Sequence, residues 1–398
     1  MTERPFDAIV VGARCAGSAT AMLLARRGHR VLLLDRSELP SDLKASTHLV
    51  WHSGVASLKR WGLLDRLRAT GCPPMQQFIL DLGQFALKGF APPAGGSVDE
   101  AYAPRRYVLD AVLLEAAREA GVEFRPRCSV DGPIMEGERV RGVRYTNATG
   151  SAVTEHAAIV VGADGLGSVI ARAVKPAVRD EHPRLQGMIW GYFRDLPLEG
   201  MEFYSRPGRM VFTWYTNDGE TLAGICFRDD AYGRAAKHPD ASMPAELEAL
   251  APGLAERVRA ARRETDWVTS ATPGVVRAPT GPGWALVGDA GLTMDPISAA
   301  GITNAFRDAE LLAAAIDQGT VERFEEQRAP GSLPLFAFSR DMAKLDPPPQ
   351  AMIDVFMALP GHQADIDAYF GVFAQTVPVT RFFAPENLAR IVAAGATP

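Results

Sequence analysis

The sequence predicts an α/β fold (α+β overall), and three observations carry that prediction. Short apolar runs that end in glycine recur at residues 6–12, 157–162 and 284–288, the pattern of buried parallel strands. The first leads through a glycine-rich turn into a helical pattern and a second apolar run, a compact β-α-β unit at the start of the chain. Between about residues 180 and 280 the pattern changes to strand-like runs in which aromatic residues cluster.

Taken in order, residues 6–12 read as a buried strand and 16–27 as a helix stopped by Gly28. Residues 30–34 form a second buried strand that ends in Asp35. Helical patterns follow at 55–67 and 107–120, the second closed by Gly121. Residues 139–145 and 152–156 form a hairpin about a turn at 147–150, and 157–161 form a separate buried strand. Strands are expected at 188–193, 201–204, 210–215 and 221–227, with Asn217-Asp218-Gly219 turning between the last two. A strand at 284–287 and a helix at 302–316 come next. The chain beyond about 320 reads as helical, broken at 347–349, and there are no internal repeats.

The 398 residues are too many for one small core and enough for two or three packed units. With 47% apolar and 22% charged residues, the composition is that of a soluble globular protein. A net charge of −5 gives no electrostatic case for nucleic acid or an anionic membrane. No run approaches the roughly 20 apolar residues of a membrane span, and the N-terminus reads as a strand, not a signal peptide. Cys15, Cys72, Cys128 and Cys226 are scattered, with no C-x-x-C pair. No metal site or redox disulfide is expected, and a reducing cytoplasmic setting fits.

Three motifs carry chemistry. In the first, Gly12-Ala13-Arg14-Cys15-Ala16-Gly17 joins a strand to a helix, and Asp35 ends the next strand. Gly12 permits the tight turn, Gly17 lets the helix approach the sheet, and the helix N-terminus suits a pyrophosphate. Asp35, with Arg36 beside it, is placed for an adenosine ribose. Arg14 stands where such turns usually carry a middle glycine, and its guanidinium is expected on the pyrophosphate. The second motif is Val161-Gly162-Ala163-Asp164-Gly165, which by itself reads as a plain strand–turn–helix joint. The third runs from Trp284 through Gly288-Asp289-Ala290-Gly291 to Asp295-Pro296 and Gly301-Ile302. Its aspartate suits a ribityl hydroxyl, and a helix opening near Gly301 offers N–H groups to a ring that gains negative charge. The alternative there is a structural turn with a helix cap.

Three such motifs in this order resemble the glutathione-reductase-type FAD proteins, in the group of para-hydroxybenzoate hydroxylase, geranylgeranyl reductase and the flavin-dependent halogenases. The resemblance covers roughly residues 5–330. It assigns Gly12, Gly17 and Asp35 to the FAD pyrophosphate and ribose, Asp164-Gly165 to the pair tied to FAD and reduced nicotinamide, and Gly288-Asp289 to the ribityl chain. Arg106-x-x-Leu109-Asp110 is similar to the family's helix start, whose arginine lies near FAD. Phe324-x-x-x-Arg328 is similar to a later aromatic-x-x-x-Arg helix. Leu292, Ser298 and Thr303 depart from the hydroxylase pattern, and the Gly288–Pro296 run is closer to the reductase and halogenase branches. The halogenase Trp-x-Trp-x-Ile-Pro signature is absent.

The resemblance implies a Rossmann-like FAD-binding domain of discontinuous segments (1–75, 100–175 and 281–330). It implies an inserted antiparallel β-sheet substrate domain (76–99 and 176–280) and a helical C-terminal region (331–398). The expected activity is that of an FAD-dependent monooxygenase. It would use NADPH or NADH as transient reductant and molecular oxygen, through a flavin C4a-hydroperoxide, on a small aromatic or polyketide-like molecule. The alternatives are a dehydrogenase or C=C reductase with hydride transfer at flavin N5, and a flavin-carrying sensor or scaffold. Flavin supplies the redox chemistry, so the protein must position substrate and exclude water. Trp190, Tyr192, Phe203, Trp214 and Tyr215 are the candidate substrate walls, or sheet core. His48 and Asp295 are the candidate acid–base residues. Against them stand a surface-loop histidine and a capping aspartate. Cys15 is expected to pack in the turn without reacting. Both a monomer and a homodimer remain open.

Overall fold

The structure, a computed structural model, describes residues 5–43 and 45–395. Its first sheet runs in the order Thr280–Gly281, Trp284–Leu286, Ala152–Gly162, Phe6–Val11, Val31–Leu34, Glu123–Arg125. The four strands from Trp284–Leu286 to Val31–Leu34 and the last strand pair in parallel. Both faces of this sheet are buried, which is why its strands read as continuous apolar runs. On one face Ala8, Val10, Val31 and Leu33 pack against the helices Cys15–Ala25, Arg106–Glu119 and Gly301–Asp317. On the other, Ile9, Val11, Leu32 and Leu34 meet Val140, Val143 and Tyr145. Those three belong to the antiparallel pair Ser129–Glu136 and Arg139–Thr146. The expected hairpin at 139–156 forms, but its second arm and the buried strand after it are one element, Ala152–Gly162. Its first half alternates between exposed and half-buried, and its second half enters the sheet. The helix expected at 55–67 is likewise two helices, His52–Arg60 and Leu64–Arg68, parted at Gly62 with φ +73°.

The second sheet runs Arg262–Arg263, Gln186–Arg194, Glu220–Arg228, Arg209–Tyr215, Met201–Arg206, Gln77–Asp81, Ala86–Phe90. Its four central strands are those expected between 188 and 227. One face, with Ile189, Phe193, Val211, Ile225 and Phe227, packs on the helices Asp229–Ala235, Pro239–Leu250 and Pro252–Ala260. The sequence reading, guided by the strand-rich pattern, did not anticipate those helices. The other face carries Met188, Trp190, Phe212 and Trp214 and is roofed by the C-terminal helices Gln350–Ala358 and Gln363–Phe373. A small third sheet, Leu292–Thr293, Gly274–Arg277 and Val178–His182, links the two halves. Among the described residues no helix is long and apolar enough to cross a membrane.

Candidate active site

The parallel strands end at a long cleft of about 650 Å³. Gly12, Arg14, Asp35, Arg36, Arg106, Asp164, Gly165, Gly288, Asp289, Pro296, Gly301 and Ile302 all line it, as the sequence motifs required. Gly17 stands behind that wall. A Cβ on Gly17 would lie 1.7 Å from the Gly12 carbonyl oxygen, and one on Gly12 would lie 2.5 Å from that of Ala163. These glycines let helix, turn and neighbouring strand close on one another. The helices Cys15–Ala25 and Gly301–Asp317 both open onto the cleft, with no side-chain cap and no acid in the first turn. Their first amides are therefore available to anionic or electron-rich groups.

The charged residues of the cleft are tied into its frame. Asp35 accepts from the backbone N–H groups of Ala13 (2.8 Å) and Ser37 (2.8 Å), so it braces the first turn while facing the cleft. Arg14 is bound sideways, donating to Asp110 Oδ2 (2.7 Å), the Ser41 carbonyl (3.1 Å) and Ser41 Oγ (2.9 Å). The buried Asp110 also accepts from Arg106 (3.1 Å) and from the Cys15 thiol (3.3 Å). Burial raises that thiol far above its usual range, against the pull of Arg106, so Cys15 is an inert packing group. Asp308 accepts from Gly288 N–H (2.9 Å) and faces Arg328 (3.0 Å) in a buried pair behind the Gly288 turn. Phe324-x-x-x-Arg328 thus serves the cleft from behind.

The cleft fits a flavin dinucleotide on its own evidence. Asp164 Oδ2 accepts from Val169 N–H (2.7 Å), its buried Oδ1 bonds to no described residue, and burial raises its pKa. Asp289 is exposed along the cleft, with the Arg106 guanidinium near enough to favour its carboxylate. Unspent acceptors suit ribose and ribityl hydroxyls, and the two bare helix ends suit a pyrophosphate and an electron-rich ring.

A second cleft of about 410 Å³ meets the first, and Thr47, Met188, Pro296 and Ala299 line both. Its walls are the roofed face of the second sheet and the helices above it, with Trp51, Phe78, Phe212, Phe356 and Phe370 among them. Two indoles fasten the junction: Trp214 Nε1–H donates to the Thr47 carbonyl (3.1 Å) and Trp51 Nε1–H to that of Ser298 (2.9 Å). His48 and Ala299, both beside the junction, hold left-handed φ values of +49°. Strain of this kind persists only where the surroundings impose it.

Of the five candidate wall residues, Phe203 and Trp214 line this cleft. Trp190 is wholly buried in the sheet core. Tyr192 lies under Arg105, whose guanidinium carbon is 4.0 Å from the ring centre, and its hydroxyl is bonded to His48. The Tyr215 hydroxyl is spent on the N–H and carbonyl of Leu198 (2.7 and 2.9 Å). These three belong to the core because their polar ends are satisfied there or sealed away from the cleft.

His48 lines the cofactor cleft but has no free nitrogen. Nδ1 is 2.9 Å from the Ala103 carbonyl, and Nε2 is 2.9 Å from the Tyr192 hydroxyl. The carbonyl can only accept, so Nδ1 carries the proton and Nε2 accepts from Tyr192. Burial, with Arg105 nearby, lowers its pKa to about 3. His52 follows four residues later, a spacing passed over in reading the sequence for metal ligands. Both nitrogens of His48 are engaged, however, and no cluster of three metal-ligating side chains occurs among the described residues. Asp295 faces neither cleft. Its Oδ1 accepts from Gln186 Nε2 (2.8 Å) and Ile297 N–H (3.0 Å), capping the short turn Pro296–Ser298. Its buried Oδ2 bonds to no described residue, and burial raises its pKa to about 6. The sequence reading missed Met188, Ala299 and the helix Gln363–Phe373 as cleft walls; the aromatic spacing Tyr369, Phe370, Phe373 was the available signal.

Comparison with known proteins agrees with this geometry. The profile of the FAD binding domain family matches residues 6–320. Digeranylgeranylglycerophospholipid reductase of Methanosarcina mazei is 28% identical over 326 residues, 78% of this chain and 74% of that protein. A flavoprotein/dehydrogenase from Cytophaga hutchinsonii superposes with a TM-score of 0.83 at 18% identity, over 98% of this chain and 100% of the other. The flavin-dependent brominase Bmp2 does so with a TM-score of 0.77 at 20% identity, over 98% of both. The two structural likenesses establish the fold, and the profile, spanning both cleft-forming halves, establishes the family. With a cleft built for the dinucleotide and a family profile across most of its length, the chain belongs to the FAD binding domain family and is an FAD-dependent oxidoreductase.

Proposed function

We propose that the chain is a monooxygenase that hydroxylates a small aromatic or polyketide-like molecule, with NADPH or NADH as transient reductant and molecular oxygen as co-substrate. The observation that carries this reading is the second cleft, apolar, lined by aromatic rings and continuous with the cofactor cleft at Thr47, Met188, Pro296 and Ala299. Flat aromatic walls favour a flat aromatic ligand. A cleft of about 410 Å³ lies at the small-molecule end of the usual range of roughly 300–1,000 Å³.

FAD, when bound, supplies two-electron redox chemistry and the activation of oxygen. The residues of this chain do the rest. Gly12, Asp35, Arg106, Asp164 and Asp289 would hold the dinucleotide. The helix Gly301–Asp317 opens its bare N-terminus onto the cleft and would favour negative charge on a ring held there. Thr47 and Pro296, at the junction of the two clefts, would meet a substrate ring beside it. The apolar wall keeps water away. His48, neutral and held at both nitrogens, positions the loop that carries Thr47, and Asp295 holds the turn that begins with Pro296.

A C=C reductase or dehydrogenase is the second reading, favoured by the likeness to the Methanosarcina reductase across most of the chain. Turnover under isotopically labelled oxygen tests the choice. Label in the product supports hydroxylation, whereas oxidised or reduced product without label moves the assignment to hydride transfer alone. Anaerobic mixing of FAD-loaded protein with NADPH or NADH tests the reductant. Flavin bleaching that speeds up with an aromatic ligand is the expected result.

A further inference from the structure

The apolar cleft has few uncharged polar side chains in its walls, and among the wall residues on its two roofing helices the polar one is a tyrosine. Tyr369, on the helix Gln363–Phe373, is 7% exposed and lines the cleft. Its ring is packed among Phe356, Phe370, Phe373 and Phe382, with ring centres 5.5 to 5.8 Å apart. A buried tyrosine hydroxyl normally finds a hydrogen-bond partner. That of Tyr369 bonds to no described residue. Unlike the nitrogens of Trp190 and His52, it is not sealed away from the cleft that Tyr369 lines. Burial raises its pKa, so it stays a neutral O–H able to donate or accept.

The charges around the cleft narrow the ligand further. Among the described residues Arg206 is its one cationic wall residue, and its guanidinium is spent on Asp81 Oδ1 (2.8 Å) and on the carbonyls of Asp81 and Ser205. The other charged wall residues, Asp341 and Asp346, are acids. A carboxylate buried here would have no free cation to meet it, and an unpaired buried charge is expensive.

We propose that Tyr369 is the substrate-binding residue of this cleft, bonding one hydroxyl or carbonyl oxygen of a substrate that is uncharged when it binds. This rests on the apolar cleft being the substrate site.

Three probes titrated into the FAD-loaded protein at pH 7 test it, read by perturbation of the flavin visible spectrum. They are 2-naphthol, naphthalene and 2-naphthoate. The parent should bind 2-naphthol at least tenfold more tightly than 2-naphthoate. Tyr369→Phe should weaken 2-naphthol by about 3- to 10-fold, one neutral hydrogen bond, and leave naphthalene unchanged. Equal 2-naphthol affinity in the two proteins overturns the proposal. So does tighter binding of 2-naphthoate, loss of naphthalene binding in the variant, or no response of the parent to 2-naphthol. The hydroxylase reading fails separately: if the affinities shift as expected but labelled oxygen never enters a product, the role of Tyr369 stands and the reaction class changes.

Discussion

Arg14 Nη1 stands 2.7 Å from Asp110 Oδ2, so the side chain in the middle of the first glycine turn is bound to the helix Arg106–Glu119. The same guanidinium holds Ser41 through its carbonyl and its hydroxyl. Arg14 therefore acts as a clamp between turn, helix and the loop that follows the second strand, and contact with the pyrophosphate is a separate matter from that clamp.

Removing the clamp should loosen FAD without unfolding the chain, because Asp110 keeps Arg106 as a partner. For Arg14→Ala the expected loss is on the order of 1–3 kcal/mol of cofactor binding, the scale of hydrogen bonds to a charged group. The recovery of free-flavin fluorescence after dilution measures it. Ser41→Ala should give part of the same effect. If Ser41→Ala is silent while Arg14→Ala releases FAD, the arginine works on the phosphates directly; if both retain FAD, it has no role in retention.

Asp295 should make stability depend on pH in a definite sense. Its carboxyl rises from an ordinary 3.8 to about 6 through burial. The protonated form is favoured in the fold, so its contribution is fully present below about 3.8 and is lost as pH rises through 6. The ionised form then costs on the order of 3 kcal/mol. Asp295→Asn keeps an Oδ1 for Ile297 N–H and abolishes the titration. The difference in thermal midpoint, variant minus parent, at saturating FAD should therefore grow between pH 4 and 6.5 and level off above. A flat difference across that range removes Asp295 from the account.

His48 should behave as a fixed neutral strut. Replacing it by asparagine, which tolerates a left-handed φ, should cost less stability than replacing it by alanine, by about 1 kcal/mol in urea unfolding. The pH profile of flavin reduction should show no step near 6.5 that His48→Asn removes, since burial and Arg105 hold the imidazole neutral down to about pH 3. Loss of such a step in the variant would restore His48 as an acid or base.

Much of the cofactor half was legible in the sequence because its physics is local. A tight turn at Gly12, a close approach at Gly17 and an acid after an apolar strand are each written in neighbouring residues; Gly12 and Asp35 line the cleft, and Gly17 closes the turn behind it. The substrate half was legible as strands but not as a site. Trp190 and Trp214 look alike in sequence, yet one is sealed in the core and the other lines the cleft, where it is tied to the Thr47 carbonyl 167 positions away. His48 was found for its position, and its chemistry was hidden because Ala103 and Tyr192, which engage its two nitrogens, come from other elements. The helices between 229 and 260 were missed because flanking strands dominated the pattern.

The roof of the apolar cleft comes from residues 341–373, downstream of the 6–320 segment that carries the family likeness. Part of the apolar cleft is thus encoded outside the stretch that carries the family likeness, while its sheet wall lies inside it. A lineage could reshape that roof by changing residues between 341 and 373 without altering a residue that lines the cofactor cleft.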